Sequence, residues 1–464
     1  MNELSFAGDL ADVDELATQL FTTGLSRDAC DSRARLFARA AGALSITGEA
    51  GSGQPPLAFF VPGRIEVLGK HTDYAGGRTM VAAVERGFCI AALPRDDRQI
   101  VVIDAATGET IVFLADPDLQ PQAGSWSNYP MTVARRVARN FPGAVRGADI
   151  ALVSDLPRAV GMSSSSALMV GVFFALAEVN RLATRDEYWH NIGSKTDLAG
   201  YLGTIENGQS FGTLEGDRGV GTFGGSEDHT AILCAEPNCI SQYAFCPVEF
   251  EKMVPVPPGY LFAVAASGVA AEKTGAAGEK YNAASRLASS LAELWRRETG
   301  RDDPHLAAAL GSSPDAAKRL KAIVKGASGS AVGESAPAAL LTRLEHFMVE
   351  SGEIIPAASD ALARGDLRSF GRLVDQSQHA AERLLGNQTP ETVFLASSAR
   401  GLGAAAASAF GAGFGGSVWA LVKTSSADDF LAAWADAYRE KFPEHTKLAC
   451  FFATGAGPAA FRVC

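Results

Sequence analysis

The chain has 464 residues, of which 47% are hydrophobic and 20% charged, and its formal net charge is −11. This length is too great for one compact core and indicates a globular protein of two domains. The negative charge argues against a nucleic-acid partner and against a polybasic membrane contact, because both need clustered Lys and Arg.

Helix-like and strand-like periods alternate along the first half of the chain, which predicts a mixed α and β fold. Residues 14–45 have a helical pattern, and residues 57–61 read as a short strand that ends at Pro62-Gly63 in a loop. The other predicted elements of this half are a helix over 127–140, a buried strand over 149–154, a helix over 197–208 and a glycine-rich stretch over 212–225.

Prolines in the sequence Val-Pro-Val-Pro-Pro-Gly, over 254–259, break regular structure, and we place the domain boundary there. The first domain then covers residues 1–255, with an N-terminal extension over 1–50, and the second covers 256–464. Residues 312–338 are rich in Ser, Gly, Ala and Pro and predict a mobile loop. Alanine-rich patterns of the second domain predict helices over 277–299, 336–350, 357–364, 366–384 and 391–401.

Seven cysteines are scattered along the chain without a paired C-x-x-C spacing, which favours reduced thiols and no zinc site. The first residues are acidic and lack the basic and apolar regions of a signal peptide. No apolar run reaches the roughly 18 residues of a membrane span. We therefore expect a cytoplasmic protein, a monomer or homodimer, with small-molecule partners and without nucleic-acid or membrane partners.

A small-residue loop, Asp155-Leu-Pro-Arg-Ala-Val-Gly-Met-Ser-Ser-Ser-Ser-Ala167, leads directly into an apolar helical pattern. Glycine lets the backbone approach a ligand, serine hydroxyls donate hydrogen bonds, and the N–H groups of a helix N-terminus favour phosphate. The loop therefore indicates a phosphate cradle. On this segment alone, a Ser-rich helix N-cap is an equally good interpretation.

A second cluster, within residues 61–77, holds Arg64, Glu66, Lys70, His71 and Asp73 between glycines. This density of donors and acceptors suits a polyhydroxylated ligand, because a carboxylate can accept two hydroxyl hydrogen bonds. The alternative is a surface turn with solvated charges, although loop residues of this kind favour function.

Two further segments could contribute to a site. Gly224-Gly-Ser-Glu-Asp-His-Thr230 puts Asp228 and His229 after a glycine run, at a position that also suits a helix N-terminus. The glycine-rich loop over 409–417 is a weak signal by itself and is more typical of a tight turn between strands.

Two kinds of chemistry fit these clusters. His71-Thr-Asp73 and Asp228-His229 resemble metal-ligand pairs, but a two-metal hydrolase needs further His-containing pairs, which the sequence lacks. Phosphoryl transfer uses more of the chain: a cradle for a nucleotide, a carboxylate and a serine for Mg²⁺, a second carboxylate for the proton of the attacking hydroxyl, and an arginine for developing charge.

Three motifs occur in the order Pro-Gly-Arg-x-x-x-x-Gly-x-His-Thr-Asp-Tyr-x-Gly-Gly, Pro-x-x-x-Gly-Met-Ser-Ser-Ser and Gly-Ala-Gly-Phe-Gly-Gly. Because it carries these three motifs in this order, the chain resembles the galactokinases of the GHMP kinase superfamily, over about residues 57–460. The shorter segments that are similar to the family are Trp126-Ser-Asn-Tyr129, Glu206-Asn207, Gly278-Glu-Lys-Tyr-Asn282 and Thr389-Pro-Glu391.

The resemblance implies an α+β fold of two domains, an S5-like N-terminal domain and a ferredoxin-like C-terminal domain, with the active site in the cleft between them. It implies ATP and Mg²⁺ as cofactors and phosphorylation of the anomeric hydroxyl of galactose or a related hexose. By position, Asp228 would accept the hydroxyl proton and Arg64 would steady the transferring phosphoryl group. The implied binding residues are Gly161, Met162, Ser163, Ser164, Ser165, Ser166 and Trp126 for the nucleotide, Ser165 and Glu206 for Mg²⁺, and Lys70, His71, Asp73, Gly225 and Tyr281 for the sugar.

The chain departs from the family at four places. Lys70 stands where galactokinases carry glutamate, Glu66 where they carry asparagine, and Ser166 where they often carry alanine. The stretch over 212–223, which precedes Asp228, is longer than the family spacing and bears on the metal site. The family glutamate contacts the C6 end of galactose, so an ammonium there suggests an anionic sugar such as galacturonate. Alternatively, Lys70 pairs with Glu66 or another acid and galactose still binds.

A protein that binds sugar and ATP without turnover, as a sensor, is the remaining alternative. Loss of catalysis in such a protein would show as damage to the serine loop or to the proton acceptor. Because both Arg64 and Asp228 are retained, we expect an enzyme.

Overall fold

The computed structural model describes residues 2–45, 55–122, 124–157, 161–271, 276–326 and 336–464. Within these ranges the strands form a nine-stranded sheet and a four-stranded sheet, and helices pack against both, so the fold is of the α+β class. None of the helices in the described ranges is long and apolar enough to cross a membrane.

The larger sheet is centred on two long antiparallel strands, β2 and β3, which are buried along most of their length. Successive side chains enter different cores: Phe59 packs against Phe174 of a helix on one face, and Phe60 packs against Phe461 within the cluster formed by the N-terminal helices. Burial on both faces explains why these strands are almost continuously apolar. The strands of this sheet are β1 (Asn2–Glu3), β2 (Leu57–Leu68), β3 (Arg78–Pro94), β4 (Gln99–Asp104), β5 (Thr110–Leu114), β6 (Ala148–Ser154), β7 (Cys239–Ala244), β8 (Glu249–Pro255) and β13 (Phe461–Arg462).

Strand β2 continues past Pro62-Gly63 as far as Leu68, so the loop predicted after residue 61 is wrong. The pairing with β3 shifts register between Pro62 and Arg64, which accommodates a proline that has no N–H to donate. Such bulges re-aim the side chains that follow them. Arg64 is the first paired residue of β2 after this register shift.

The predicted helix over 14–45 is two helices, because a single turn over Phe21–Thr23 ends at Gly24 in the left-handed conformation, with φ of 92°. The other helices and the strand predicted in this half lie close to their expected bounds. The helices before β7 are α1 (Val13–Leu20), α2 (Arg27–Ser45), α3 (Asn128–Asn140), α4 (Ser164–Val179), α5 (Asp186–Asn191), α6 (Lys195–Asn207) and α7 (Glu227–Cys234).

The smaller sheet is antiparallel and has the strand order β10-β11-β9-β12. The chain passes from the larger sheet to the smaller one between Pro255 and Tyr260, and β13 later returns to pair with β2. A domain boundary at residue 255 therefore stays our proposal, with the final strand crossing it. The strands of this sheet are β9 (Tyr260–Ala266), β10 (Ala406–Phe410), β11 (Ser417–Lys423) and β12 (Cys450–Thr454).

The helices of the second half pack on the smaller sheet and around a separate core at Trp295, which also includes Ala75 of the first half. Within the predicted mobile loop over 312–338, residues Ala316–Gly326 form a helix, and residues 327–335 lie outside the described ranges. These helices are α8 (Ala276–Thr299), α9 (Leu306–Gly311), α10 (Ala316–Gly326), α11 (Pro337–Phe347), α12 (Ile355–Ala363), α13 (Leu367–Ala380), α14 (Pro390–Gly401) and α15 (Ala427–Lys441), with π-helical turns over Met348–Ile354 and Ala381–Leu385.

The long stretch over 212–223 is held against α3 by buried ion pairs. Asp217 Oδ2 lies 2.7 Å from Arg135 Nε, and Asp217 Oδ1 lies 3.5 Å from Arg136 Nη1. All three side chains are at most 2% exposed. The stretch is therefore anchored to the helical layer over the larger sheet.

Substitution Asp217→Ala should lower the free energy of unfolding by about 3–5 kcal/mol, because it leaves buried guanidinium groups without their carboxylate. Urea denaturation of the two proteins measures the difference. Asp96→Ala is the matched control, since Asp96 pairs with Arg146 at 2.7 Å but is 99% exposed, and it should leave the midpoint unchanged. Equal effects of the two substitutions would contradict the anchoring role.

Candidate active site

The serine loop begins after β6 and ends as the N-terminus of α4. Gly161 and Ser163 have φ values of 79° and 56°, in the left-handed region that glycine adopts readily and serine rarely. The loop residues that line the larger of two neighbouring cavities are Gly161, Ser163, Ser164 and Ser165. Hydroxyls and a helix N-terminus thus meet at one cavity, as a phosphate cradle requires.

Two of the predicted nucleotide residues, Met162 and Ser166, do not line this cavity. Met162 is buried in the main hydrophobic core. Ser166 is fully buried, and its hydroxyl donates to Glu206 Oε2 at 2.8 Å and lies 3.2 Å from Asp228 Oδ2. Ser166 therefore contacts the carboxylates of Glu206 and Asp228.

The larger cavity has a volume of about 390 Å³, within the usual range for small-molecule sites. Trp126 lies at its wall, and its Nε1 donates to Glu109 Oε1 at 2.6 Å. The apolar residues that line it are Phe88, Tyr129, Leu152, Leu156 and Leu168. One side of the cavity thus suits an aromatic base and the other suits phosphates.

Arg64 and Asp228 form a buried ion pair at the edge of this cavity. Arg64 Nε and Nη2 lie 2.8 and 2.7 Å from Asp228 Oδ1, and Arg64 Nη1 donates to the Gly161 carbonyl at 2.5 Å. Burial lowers the pKa of Arg64, but the nearby carboxylates of Asp228 and Glu227 outweigh that effect and raise it. The guanidinium therefore stays charged beside the phosphate loop.

The smaller cavity shares Arg64 and Ala412 with the larger one, so the ion pair stands where the two meet. Its volume is about 30 Å³, roughly the space of one water molecule. The lining residues are Arg64, Glu66, His71, Asp73, Glu206, Gly224, Gly225, Glu227, Asp228, Tyr281, Gly411 and Ala412.

Four of the five predicted sugar residues come together at the smaller cavity: His71, Asp73, Gly225 and Tyr281. The His71 ring lies 4.9 Å from the Tyr281 ring, between centroids, and Asp73 Oδ2 accepts from the Glu227 N–H at 3.2 Å. A Cβ on Gly225 would collide with the Asp73 carboxylate, so this position needs glycine.

The third glycine motif forms the turn between β10 and β11 and closes the site from the second half of the chain. A Cβ on Gly411 would lie 2.8 Å from the Gly161 carbonyl oxygen, and the Ala412 carbonyl oxygen lies 2.9 Å from His71 Nε2. The turn is thus both a tight turn between strands and part of the cavity wall. Sequence reasoning gave it too little weight, because its contacts are distant along the chain.

The predicted magnesium residues lie near the ion pair. Ser165 lines the larger cavity, and Glu206, near the end of α6, lines the smaller one. Mg²⁺ prefers oxygen ligands such as carboxylates and hydroxyls, so the donor chemistry fits. The serine that reaches Glu206 in this structure is Ser166.

Lys70 was predicted to contact the sugar, but it does not line either cavity. Its side chain is buried, and Nζ donates to Ser408 Oγ at 2.9 Å and to Ser377 Oγ at 3.4 Å. Ser377 in turn donates to Glu350 Oε1 at 2.9 Å. Lys70 therefore belongs to a polar cluster between the two halves of the chain.

Two carboxylates of the smaller cavity, Glu66 and Glu227, were not among the predicted site residues. Burial raises the pKa of Glu66 to about 7, against the opposing charges of Arg64 and Lys70. Burial, followed by the charge of Glu66, raises the pKa of Glu227 well above its usual range. The sequence signals for Glu66 were its place in the charged cluster over 61–77 and its departure from the family asparagine.

Three family models match separate segments of the chain. They are the galactokinase galactose-binding signature over residues 49–94, the GHMP kinases N terminal domain over 128–209 and the GHMP kinases C terminal region over 358–440. The matched segments contain the residues around Arg64, the serine loop, Glu206 and the Gly411 turn.

Similar proteins include two curated galactokinases. The galactokinase of Roseiflexus sp. (strain RS-1) is 28% identical over 83% of this chain and 88% of its own length. The galactokinase of Chloroflexus aggregans is 28% identical over 83% of this chain and 89% of its own. The crystal structure of Lactococcus lactis galactokinase complexed with galactose superposes with a TM-score of 0.71, at 23% identity, over 90% of this chain and 98% of that one, which supports the fold.

The chain therefore carries the two domains that the GHMP kinase models describe, on a fold similar to that of a solved galactokinase. It is galactokinase-like, a sugar kinase.

Substitution Gly225→Ala should raise the KM for the sugar by about tenfold or more, because the new methyl group collides with Asp73 and a misplaced hydrogen bond loses on the order of 1.4 kcal/mol. Steady-state kinetics at saturating ATP measure it. Gly42→Ala is the matched control, since a Cβ on Gly42 of α2 meets no atom within 4 Å. An unchanged KM for Gly225→Ala would contradict the assignment of Asp73 to the sugar.

Proposed function

We propose that the protein transfers the γ-phosphoryl group of ATP to the anomeric hydroxyl of galactose or a closely related neutral hexose. The product is the sugar 1-phosphate. The observation that carries the proposal is the buried Arg64–Asp228 pair at the junction of the two cavities. One cavity has the features of a nucleotide site, and the other is lined by acceptors suited to sugar hydroxyls.

The reaction needs a proton acceptor and a stabilised phosphoryl group. The anomeric oxygen forms a bond to the γ-phosphorus as the bond from phosphorus to the ADP oxygen breaks, and the hydroxyl proton moves to the Asp228 carboxylate. Arg64 stabilises the charge on the transferred group. Both side chains are already buried side by side, so little reorganisation is needed at that step.

The serine loop would hold the ATP phosphates through Ser163, Ser164, Ser165 and the N-terminus of α4, with Trp126 near the base. Mg²⁺, held by Ser165 and Glu206, would neutralise phosphate charge. The lining positions of Ser165 and Glu206 support this assignment.

The charges of the smaller cavity favour a neutral sugar over galacturonate. Even without Glu66 and Glu227, whose pKa values are raised, the carboxylates of Asp73, Glu206 and Asp228 outnumber the single guanidinium among its lining residues. Lys70 is directed elsewhere. A sugar carboxylate would meet like charges in a buried site, at a large electrostatic cost. Lys70 is instead accommodated by Ser377 and Ser408, close to the acid Glu350.

Release of ADP with a panel of sugars tests the function. Wild-type protein should turn over galactose faster than galacturonate. Asp228→Asn should lower kcat by about 10²–10⁴, the usual contribution of a general base. The matched control is Asp428→Asn, since Asp428 also lies in the first turn of a helix but is exposed, and its kcat should be unchanged. A wild-type rate equal to that of Asp228→Asn on every sugar would favour the sensor.

A further inference from the structure

We propose that Glu66 is a specificity-determining residue of the smaller cavity, whose carboxylate accepts a hydrogen bond from a hydroxyl of a neutral hexose and disfavours uronates. The inference rests on the proposed function and extends it to a residue at which the chain departs from the family motif.

The backbone holds Glu66 firmly at the cavity wall. It lies in β2, opposite Val81 of β3, and the register shifts immediately after it, between Glu66 and Leu68. The side chain is only 3% exposed, and it lines the cavity together with Arg64, Asp73 and Asp228. A buried side chain on a strand that pairs with β3 along most of its length has little freedom to swing away.

One carboxylate oxygen of Glu66 has no hydrogen-bond partner in the described part of the chain. This atom, Oε1, is also buried. The nearby cations are engaged elsewhere: Arg64 bonds to Asp228 and to the Gly161 carbonyl, and Lys70 bonds to serines. Buried polar atoms are almost always hydrogen-bonded in proteins. An unpaired oxygen at a substrate cavity therefore indicates that the bound molecule supplies the hydrogen-bond donor.

The chemistry of the group defines the ligand. A carboxylate accepts hydrogen bonds, and a sugar hydroxyl donates one. With Asp73 and Asp228 on the same wall, a ligand carboxylate would be repelled. The asparagine found here in galactokinases carries no charge, so the ionised form of Glu66 adds selectivity against anionic sugars that an amide does not supply.

The test compares wild-type protein with Glu66→Gln, which keeps the shape and removes the charge. We measure kcat and KM for galactose, for its 2-, 3-, 4- and 6-deoxy forms, and for galacturonate. Glu66→Gln should raise the KM for galactose about tenfold and change kcat little. One deoxy sugar should lack the hydroxyl that bonds to Glu66, so wild-type protein should already bind it with a KM about tenfold higher. Glu66→Gln should then raise the KM for that sugar no further, as a double-mutant cycle requires. The relative use of galacturonate should rise.

Glu251→Gln is the matched control. Glu251 is a carboxylate of β8 that pairs with Arg78 at 2.9 Å and lies outside both cavities, so its substitution should change no KM. Because KM does not depend on the concentration of active enzyme, a partly misfolded Glu66→Gln preparation cannot imitate the expected pattern.

The outcomes separate this inference from the proposed function. Suppose that wild-type protein is active. If Glu66→Gln then leaves the KM unchanged, or raises it equally for galactose and for every deoxy sugar, the role of Glu66 alone is overturned. Wild-type protein that phosphorylates no sugar overturns the proposed function, and the role of Glu66 with it.

Discussion

The buried pair of Arg64 and Asp228 is the interaction on which the site depends. Two charges withdrawn from water are tolerable only when they are closely paired and hydrogen-bonded, and here the guanidinium also bonds to the Gly161 carbonyl. The pair therefore ties β2, the N-terminus of α7 and the serine loop to one point. The two cavities meet at this pair. The proposed transfer of a phosphoryl group depends on that position.

Close backbone contacts bring the remaining parts of the site together. Glycine is required where Gly411 meets Gly161 and where Gly225 meets Asp73, since a side chain at either Gly411 or Gly225 would force the segments apart. The Gly411 turn and Tyr281 come from the second half of the chain, and the serine loop comes from the first. The smaller cavity is therefore enclosed by both halves, which is how a kinase excludes water from a transferring phosphoryl group.

Much of this could be predicted from the sequence, and the failures have physical causes. Most helices predicted after residue 126 and the strand before the serine loop follow from local pattern, although α10 was expected to be part of a mobile loop. The grouping of His71, Asp73, Gly225 and Tyr281 was implied by the family motifs. The continuation of β2 through Pro62-Gly63 was missed, because pairing with β3 overrides the local preference for a turn.

Side-chain direction was the hardest feature to foresee. Lys70 turns towards Ser377 and Ser408, which lie 307 and 338 residues away in the chain, and no local pattern reports such partners. Ser166 faces Glu206, and Glu66 faces the smaller cavity, for the same reason. Motifs thus located the site, while the charge of its walls required the tertiary structure.

The most direct measurement is a crystal structure with galactose and a non-hydrolysable ATP analogue. We expect the anomeric oxygen about 3 Å from the Asp228 carboxylate and the γ-phosphate beside Arg64, whereas a sugar bound away from this pair would contradict the proposed reaction.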